Sequence, residues 1–105
     1  MDEKWLNILY EAALEFGINW RRPLKELASE RLPNLQQSDR EELCLSVGKA
    51  REAIEKYVEN HYEYKKGLTV PEEEAFLWIK QNYPWMSRRN IARGISQGLY
   101  YAWHG

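Results

Sequence analysis

Hydrophobic residues recur along the first third of the chain at spacings of three and four, the pattern of helices with one buried face. A first helix is predicted from about Asp2 to Phe16, where Gly17 is a natural end. A second is predicted to begin near Arg22 and to end before Pro33. The predicted buried positions are Trp5, Ile8, Leu9, Ala12 and Phe16 in the first helix and Leu24, Leu27 and Leu32 in the second.

The third helix has the clearest pattern. Ser38 and Glu41 have the spacing of a capping box, which predicts a helix start, and Gly67 predicts its end. Between them the spacing alternates between four and three, as in a heptad seam. We expect a long central helix around which other helices pack, or a seam that pairs with a second copy to give a homodimer. The seam positions are Leu43, Val47, Ala50, Ile54, Tyr57, His61 and Tyr64.

Two further helices are predicted in the last third of the chain. Thr69 and Glu72 again have capping-box spacing, and Pro84 disfavours helical geometry at the residue before it. Ser87 is the predicted cap of a fifth helix that reaches about Trp103. No segment alternates with a period of two for long enough to predict a strand. The sequence therefore predicts an all-α fold, a compact bundle of about five helices in one domain of residues 1–105.

The segment from Glu72 to Trp103 loosely resembles a helix-turn-helix, because a serine cap is followed by Asn90-Ile91-Ala92. It departs from that pattern in two places. The turn lacks its glycine, and Gly94-Ile95-Ser96 follows Ala92 too soon. The bundle is therefore expected to end in a helix-turn-helix-like pair.

Composition indicates an ordinary globular domain. Of 105 residues, 44% are hydrophobic and 30% are charged, which argues against disorder. The single cysteine, Cys44, cannot form an internal disulfide. No apolar run approaches the length of a membrane span, and the first residues lack the apolar stretch of a secretory signal. We expect a cytoplasmic protein that does not contact membranes.

Candidate catalytic and metal-binding groups are few. Cys44 lies beside the seam residue Leu43 with no neighbouring base, so we expect a buried, inert thiol. His61 lies between Glu59 and Glu63, but residues two apart on a helix point away from each other. The six glycines form no phosphate-binding loop. We expect a protein that is not an enzyme and that holds no cofactor and no metal.

Charge is distributed unevenly along the chain. Residues 1–74 carry eleven basic and sixteen acidic side chains, whereas residues 75–105 carry four basic and none acidic. Arg88 and Arg89 occupy the first turn of the fifth helix, where the helix dipole disfavours positive charge. An anionic partner would offset that cost. The glutamates at 72–74 could instead neutralise these arginines, and the sequence leaves both interpretations open.

A helical wheel separates the fifth helix into two faces. Ile91, Ile95, Gly98, Leu99 and Ala102 gather on the predicted core side, and Gly94 and Gly98 would let another helix approach closely.

The opposite face carries side chains of the kinds that contact phosphates and bases. We expect nucleic acid, with DNA as the preferred form, to bind there. The alternative is a small protein–protein interaction module, of a regulatory, adaptor or immunity type, that binds through aromatic surface residues. The candidate site residues are Arg88, Arg89, Asn90, Arg93, Ser96, Gln97 and Tyr100.

Overall fold

The computed structural model describes residues 2–15 and 22–104, and its five α-helices confirm the predicted all-α class. One short antiparallel hairpin lies between the third and fourth helices. The elements are α1 (Glu3–Ala13), α2 (Leu24–Arg31), α3 (Gln37–Asn60), β1 (Tyr62–Glu63), β2 (Gly67–Leu68), α4 (Glu72–Asn82) and α5 (Arg88–His104).

Contacts within the chain group into two units, residues 1–50 and 51–105, and the boundary falls inside α3. The first part of α3 belongs with α1 and α2, and the remainder belongs with the hairpin, α4 and α5. This confirms the prediction of a long third helix that other helices contact. Across the described residues, none of the helices has the length and hydrophobicity needed to cross a membrane.

The buried face of α1 is rotated from its predicted position. Leu6 and Tyr10 are buried, whereas Trp5 and Ile8 remain half-exposed. The Asp2 carboxylate caps the helix by accepting a hydrogen bond of 2.8 Å from the backbone N–H of Lys4. The helix ends at Ala13, and the end predicted at Phe16 and Gly17 lies outside the described residues.

The turn between α2 and α3 is held by one arginine. The Arg40 guanidinium donates hydrogen bonds to the carbonyl oxygens of Leu32, Pro33 and Leu35. The Leu32 carbonyl also accepts the backbone N–H of Leu35 at 3.3 Å, and the arginine contacts join these turn carbonyls to the start of α3. Because α3 begins at Gln37, the predicted cap residue Ser38 lies inside the first turn and does not precede it.

The seam of α3 is buried over most of its length. Leu43, Val47, Ala50 and Ile54 are buried as predicted, and Val58 joins them. These side chains therefore do not form the exposed apolar face that a self-pairing seam needs. The homodimer through the third helix stays a prediction, and it would require a different surface of that helix.

The predicted continuation of α3 to Gly67 is wrong, and the segment holds a two-stranded hairpin where the sequence predicted no strand. The helix ends at Asn60, and the His61 ring donates its Nδ1–H to the carbonyl oxygen of Tyr57 at 2.8 Å. The chain then turns back as a hairpin, in which Lys65 and Gly67 have positive φ angles of 69° and 84°. Glycine reaches such angles at little cost, so Gly67 marks the hairpin and not the helix end.

The predicted capping box at the start of α4 is also wrong. Pro71 occupies the cap position, where it makes no side-chain hydrogen bond, and the helix begins at Glu72. Thr69 lies too early to cap it, and its backbone N–H donates instead to the carbonyl oxygen of His61 at 2.7 Å. The helix ends before Tyr83, as the following proline predicts.

Within the second unit, α5 approaches α3 closely where Gly98 meets Val58. Both residues are buried. A Cβ atom added to Gly98 would lie 3.0 Å from Val58 Cγ2 and 3.1 Å from Val58 Cβ. A glycine costs about 1 kcal/mol inside a helix relative to alanine. In return, the absence of a side chain at Gly98 lets α5 pack closely against Val58.

We expect Gly98→Ala to lower the free energy of unfolding by about 1 kcal/mol. Overpacking a well-filled site destabilises a protein by about 1–3 kcal/mol, and the higher helix propensity of alanine offsets about 1 kcal/mol of this loss. Urea unfolding followed by circular dichroism measures the difference. Gly48→Ala is the matched control, because an added Cβ would meet only Leu24 Cδ1 at an ordinary 3.4 Å. The control should raise stability by about 0.5–1 kcal/mol. Equal stabilisation by both variants would contradict the packing account.

Candidate functional site

The start of α5 is fixed by Ser87, which confirms its predicted role as the cap. The Ser87 hydroxyl accepts a hydrogen bond of 3.2 Å from the backbone N–H of Asn90, and its carbonyl accepts one of 2.9 Å from Ile91. The preceding turn is held by Lys80, whose ammonium donates to the carbonyl oxygen of Met86 at 3.0 Å. These contacts set the direction in which α5 leaves α4.

Arg88 has a partner within the chain. Its guanidinium carbon lies 4.6 Å from the centroid of the Phe76 ring on α4. A cation over an aromatic face is worth about 0.5–1 kcal/mol at an exposed site, comparable to the cost of a cation in the first turn of a helix. The sequence offered an anionic partner or the glutamates at 72–74 to offset this cation, and the Phe76 ring on the neighbouring helix is a contact that neither interpretation included.

One exposed face of α5 combines cations and rings. At about 100° per residue, four further side chains of α5 lie within roughly 40° of Arg89. Of these, Arg93 is half-buried and the others are exposed. Arg89 and Arg93 also have partners within the chain, so a ligand would add to those contacts or replace them. We call this face the α5 stripe, and its residues are Arg89, Arg93, Ser96, Tyr100 and Trp103.

Two of the predicted site residues are buried. Asn90 is 3% exposed and Gln97 is 5% exposed, so their predicted position at the exposed face is wrong. Both lie about 80–100° from Arg89 on the wheel, on the flank that turns toward the core. Their amide groups are therefore not accessible to a partner that approaches α5 from solvent.

Two aromatic residues outside the predicted site lie at the surface beside it. Tyr64, in the hairpin turn, is 63% exposed, and Trp103 in the last turn of α5 is 52% exposed. Their ring centroids are 5.4 Å apart. The sequence pattern assigned Tyr64 to the helical seam. Its surface position follows from the early end of α3, which no local pattern signalled.

Tyr100 has ring neighbours of its own on α5. Its ring centroid lies 4.3 Å from that of His104 and 5.8 Å from that of Tyr101. Residues four apart on a helix face the same side, so Tyr100 and His104 extend the exposed rings along the last turn. The C-terminal end of α5 is thus covered by aromatic side chains.

Cys44 and His61 are the other side chains with candidate chemistry. The thiol of Cys44 is half-buried, and burial, followed by the nearby charge of Glu41, raises its pKa. A raised pKa leaves little of the reactive thiolate near neutral pH. The His61 ring stacks on Tyr57 with centroids 4.2 Å apart, and Tyr57 stacks in turn on Trp78 at 4.4 Å. No group of three or more histidine, cysteine or acidic residues that could hold a metal occurs in the described part of the chain.

Comparison with known proteins gives no relative: no family model, no curated protein and no solved structure matches the chain.

We expect Ser87→Ala to lower the free energy of unfolding by about 1 kcal/mol. The substitution removes the acceptor for the Asn90 backbone N–H and leaves an unpaired donor at the helix start. Thermal unfolding followed by circular dichroism measures the loss. Ser96→Ala is the control, since an exposed serine in the middle of the same helix should change stability by less than about 0.5 kcal/mol. Equal effects of the two variants would show that Ser87 does not cap α5.

Proposed function

We propose that this protein is a non-enzymatic, cytoplasmic binding domain that holds nucleic acid against the exposed face of α5. The main support for the proposal is that the α5 stripe brings cations and aromatic rings together on one face of the helix. Arg89 and Arg93 share it with Ser96 and Tyr100, and no acidic residue occurs in the chain after Glu74.

Physical chemistry supports a polyanion as the partner. Arginine side chains donate two hydrogen bonds at once to phosphate oxygens, and each neutralised phosphate releases counterions. Arg88 and Arg89 lie in the first turn of α5, where backbone N–H groups and the helix dipole also favour an anion. Ser96 and the exposed Ala92 are small enough for a nucleic acid backbone to lie close to the helix. The proposed contact residues are Arg88, Arg89, Arg93, Ser96 and Tyr100.

We expect the double variant Arg89→Gln/Arg93→Gln to bind a fluorescein-labelled oligonucleotide more weakly. It should also reduce the slope of log K against log salt concentration by about 2, because each phosphate-contacting arginine contributes about 1. Fluorescence anisotropy over a range of salt concentrations measures both quantities. Circular dichroism checks that the variant is folded.

The control is Lys25→Gln/Lys49→Gln, which makes the same change in net charge at exposed positions of α2 and α3. It should leave the salt slope unchanged. The proposal fails if the native protein binds no nucleic acid at low salt. It also fails if the two double variants weaken binding equally, because the attraction would then come from net charge alone.

A second candidate function is protein–protein interaction, and a groove in the first unit favours it. The groove has a volume of about 670 Å³ and lies between α2 and α3. Leu45, which lines the groove, is 67% exposed, the highest value among the large hydrophobic residues described. Exposed apolar surface beside a groove is typical of sites that bind other proteins. This candidate predicts a partner whose binding is lost with Leu45→Ser and responds only weakly to salt.

A further inference from the structure

The exposed rings of the second unit are concentrated where the hairpin meets the end of α5. Tyr64 and Trp103 are more than half exposed, and their rings lie at an interplanar angle of 32°. Tyr100, which is 41% exposed, lies one helical turn before Trp103 on the same stripe. A large aromatic side chain buries 150–250 Å² when fully covered, and about half of each of these three is still open to a partner. We call Tyr64, Tyr100 and Trp103 the ring platform.

Positive charge adjoins the ring platform. The ammonium of Lys65, at the hairpin turn, lies 5.8 Å from the centroid of the Tyr64 ring. The neighbouring Lys66 pairs with Glu63 at 3.3 Å, so its charge is partly offset. Arg93 lies on the same stripe as the rings of Tyr100 and Trp103. Cations that adjoin exposed rings match the chemistry of surfaces on which unpaired bases stack while phosphates lie alongside.

The stripe has room for several nucleotides. From Arg89 to Trp103 the helix advances about 21 Å, at roughly 1.5 Å per residue. The cations lie toward the start of this path and the rings lie toward its end. A strand that follows the path would therefore meet the arginines with its phosphates and the ring platform with its bases.

The amide side chains that suit a duplex are absent from this surface. Asparagine and glutamine read paired bases through hydrogen bonds to their edges, but Asn90 and Gln97 are buried. In a duplex the faces of the bases are stacked on each other and cannot reach a protein ring. Unpaired bases present their faces, and aromatic side chains bind them with little dependence on sequence.

We propose that the partner of α5 is single-stranded nucleic acid, whose unpaired bases stack on the ring platform of Tyr64, Tyr100 and Trp103. The inference rests on the proposed function and specifies the form of nucleic acid that is bound. It assigns the arginines to phosphates and the rings to bases, so the two groups of residues affect different measurable quantities.

The test compares fluorescein-labelled oligothymidylate of about ten nucleotides with a duplex of the same length, at the same salt concentration. The single strand should bind the native protein more tightly. Tyr64→Leu and Trp103→Leu should each weaken single-strand binding about tenfold and leave the salt slope unchanged, because they remove stacking and no charge. Leu77→Ala is the control, because Leu77 is 51% exposed on α4 and lies outside the platform. It should bind like the native protein.

The outcomes separate this inference from the proposed function. If the duplex binds as tightly as the single strand, or if the ring variants bind normally while Arg89→Gln/Arg93→Gln binds weakly, the stacking inference is wrong and the proposed function stands. If neither nucleic acid binds, both are wrong. Binding to vesicles that contain phosphatidylserine, without binding to oligothymidylate, would overturn the inference in favour of a membrane surface. Quenching of tryptophan fluorescence by oligothymidylate, reduced in Trp103→Leu, would support stacking directly.

Discussion

The close approach of Gly98 to Val58 determines which side of α5 is buried and, by exclusion, which side is exposed. An added Cβ at Gly98 would lie 3.0–3.3 Å from three atoms of Val58, so the contact tolerates no larger side chain without adjustment. Once this contact is fixed, the helical period determines the position of every other residue of α5. Arg89, Ser96 and Tyr100 turn to solvent, and Asn90 and Gln97 turn toward the core. The functional proposals depend on this orientation.

The sequence predicts the features of α5 that depend on local chemistry. Ser87 caps the helix as its side chain and position indicate, and the periodicity correctly buries Ile91, Ile95 and Gly98. The sequence also predicts the five helices found in the described residues, including the long third one. Capping side chains and apolar spacing are local signals, and they remain visible without knowledge of the fold.

The features that the sequence misses depend on contacts that the spacing of apolar residues does not show. Arg88 lies over Phe76, a ring on the preceding helix. Tyr64 is not part of the seam to which the pattern assigned it, because α3 ends at Asn60. After that residue the His61 side chain donates a hydrogen bond to a backbone carbonyl and the chain enters a hairpin. Asn90 and Gln97 are polar, and a wheel alone assigns polar residues to the surface. Their burial is decided by the neighbouring elements, which a wheel does not contain.

These differences change the chemistry of the proposed site. The surface expected from sequence combined phosphate-binding arginines with amides that read base edges. On the folded surface the arginines are present, the amides of Asn90 and Gln97 are buried, and two further rings, Tyr64 and Trp103, are exposed. A surface of this composition is suited to a flexible, unpaired strand, whereas the expected one was suited to the groove of a duplex.

The most direct test of the central claim is an NMR titration of the isotope-labelled protein with oligothymidylate, in which backbone and tryptophan side-chain amide signals are followed. The signals that move should be those of the α5 stripe and of the hairpin turn at Tyr64, including the indole N–H of Trp103. Signals from α1 and α2 should stay in place. Movement confined to the groove beside Leu45, or no movement at any concentration, would contradict the claim that α5 is the nucleic-acid-binding surface.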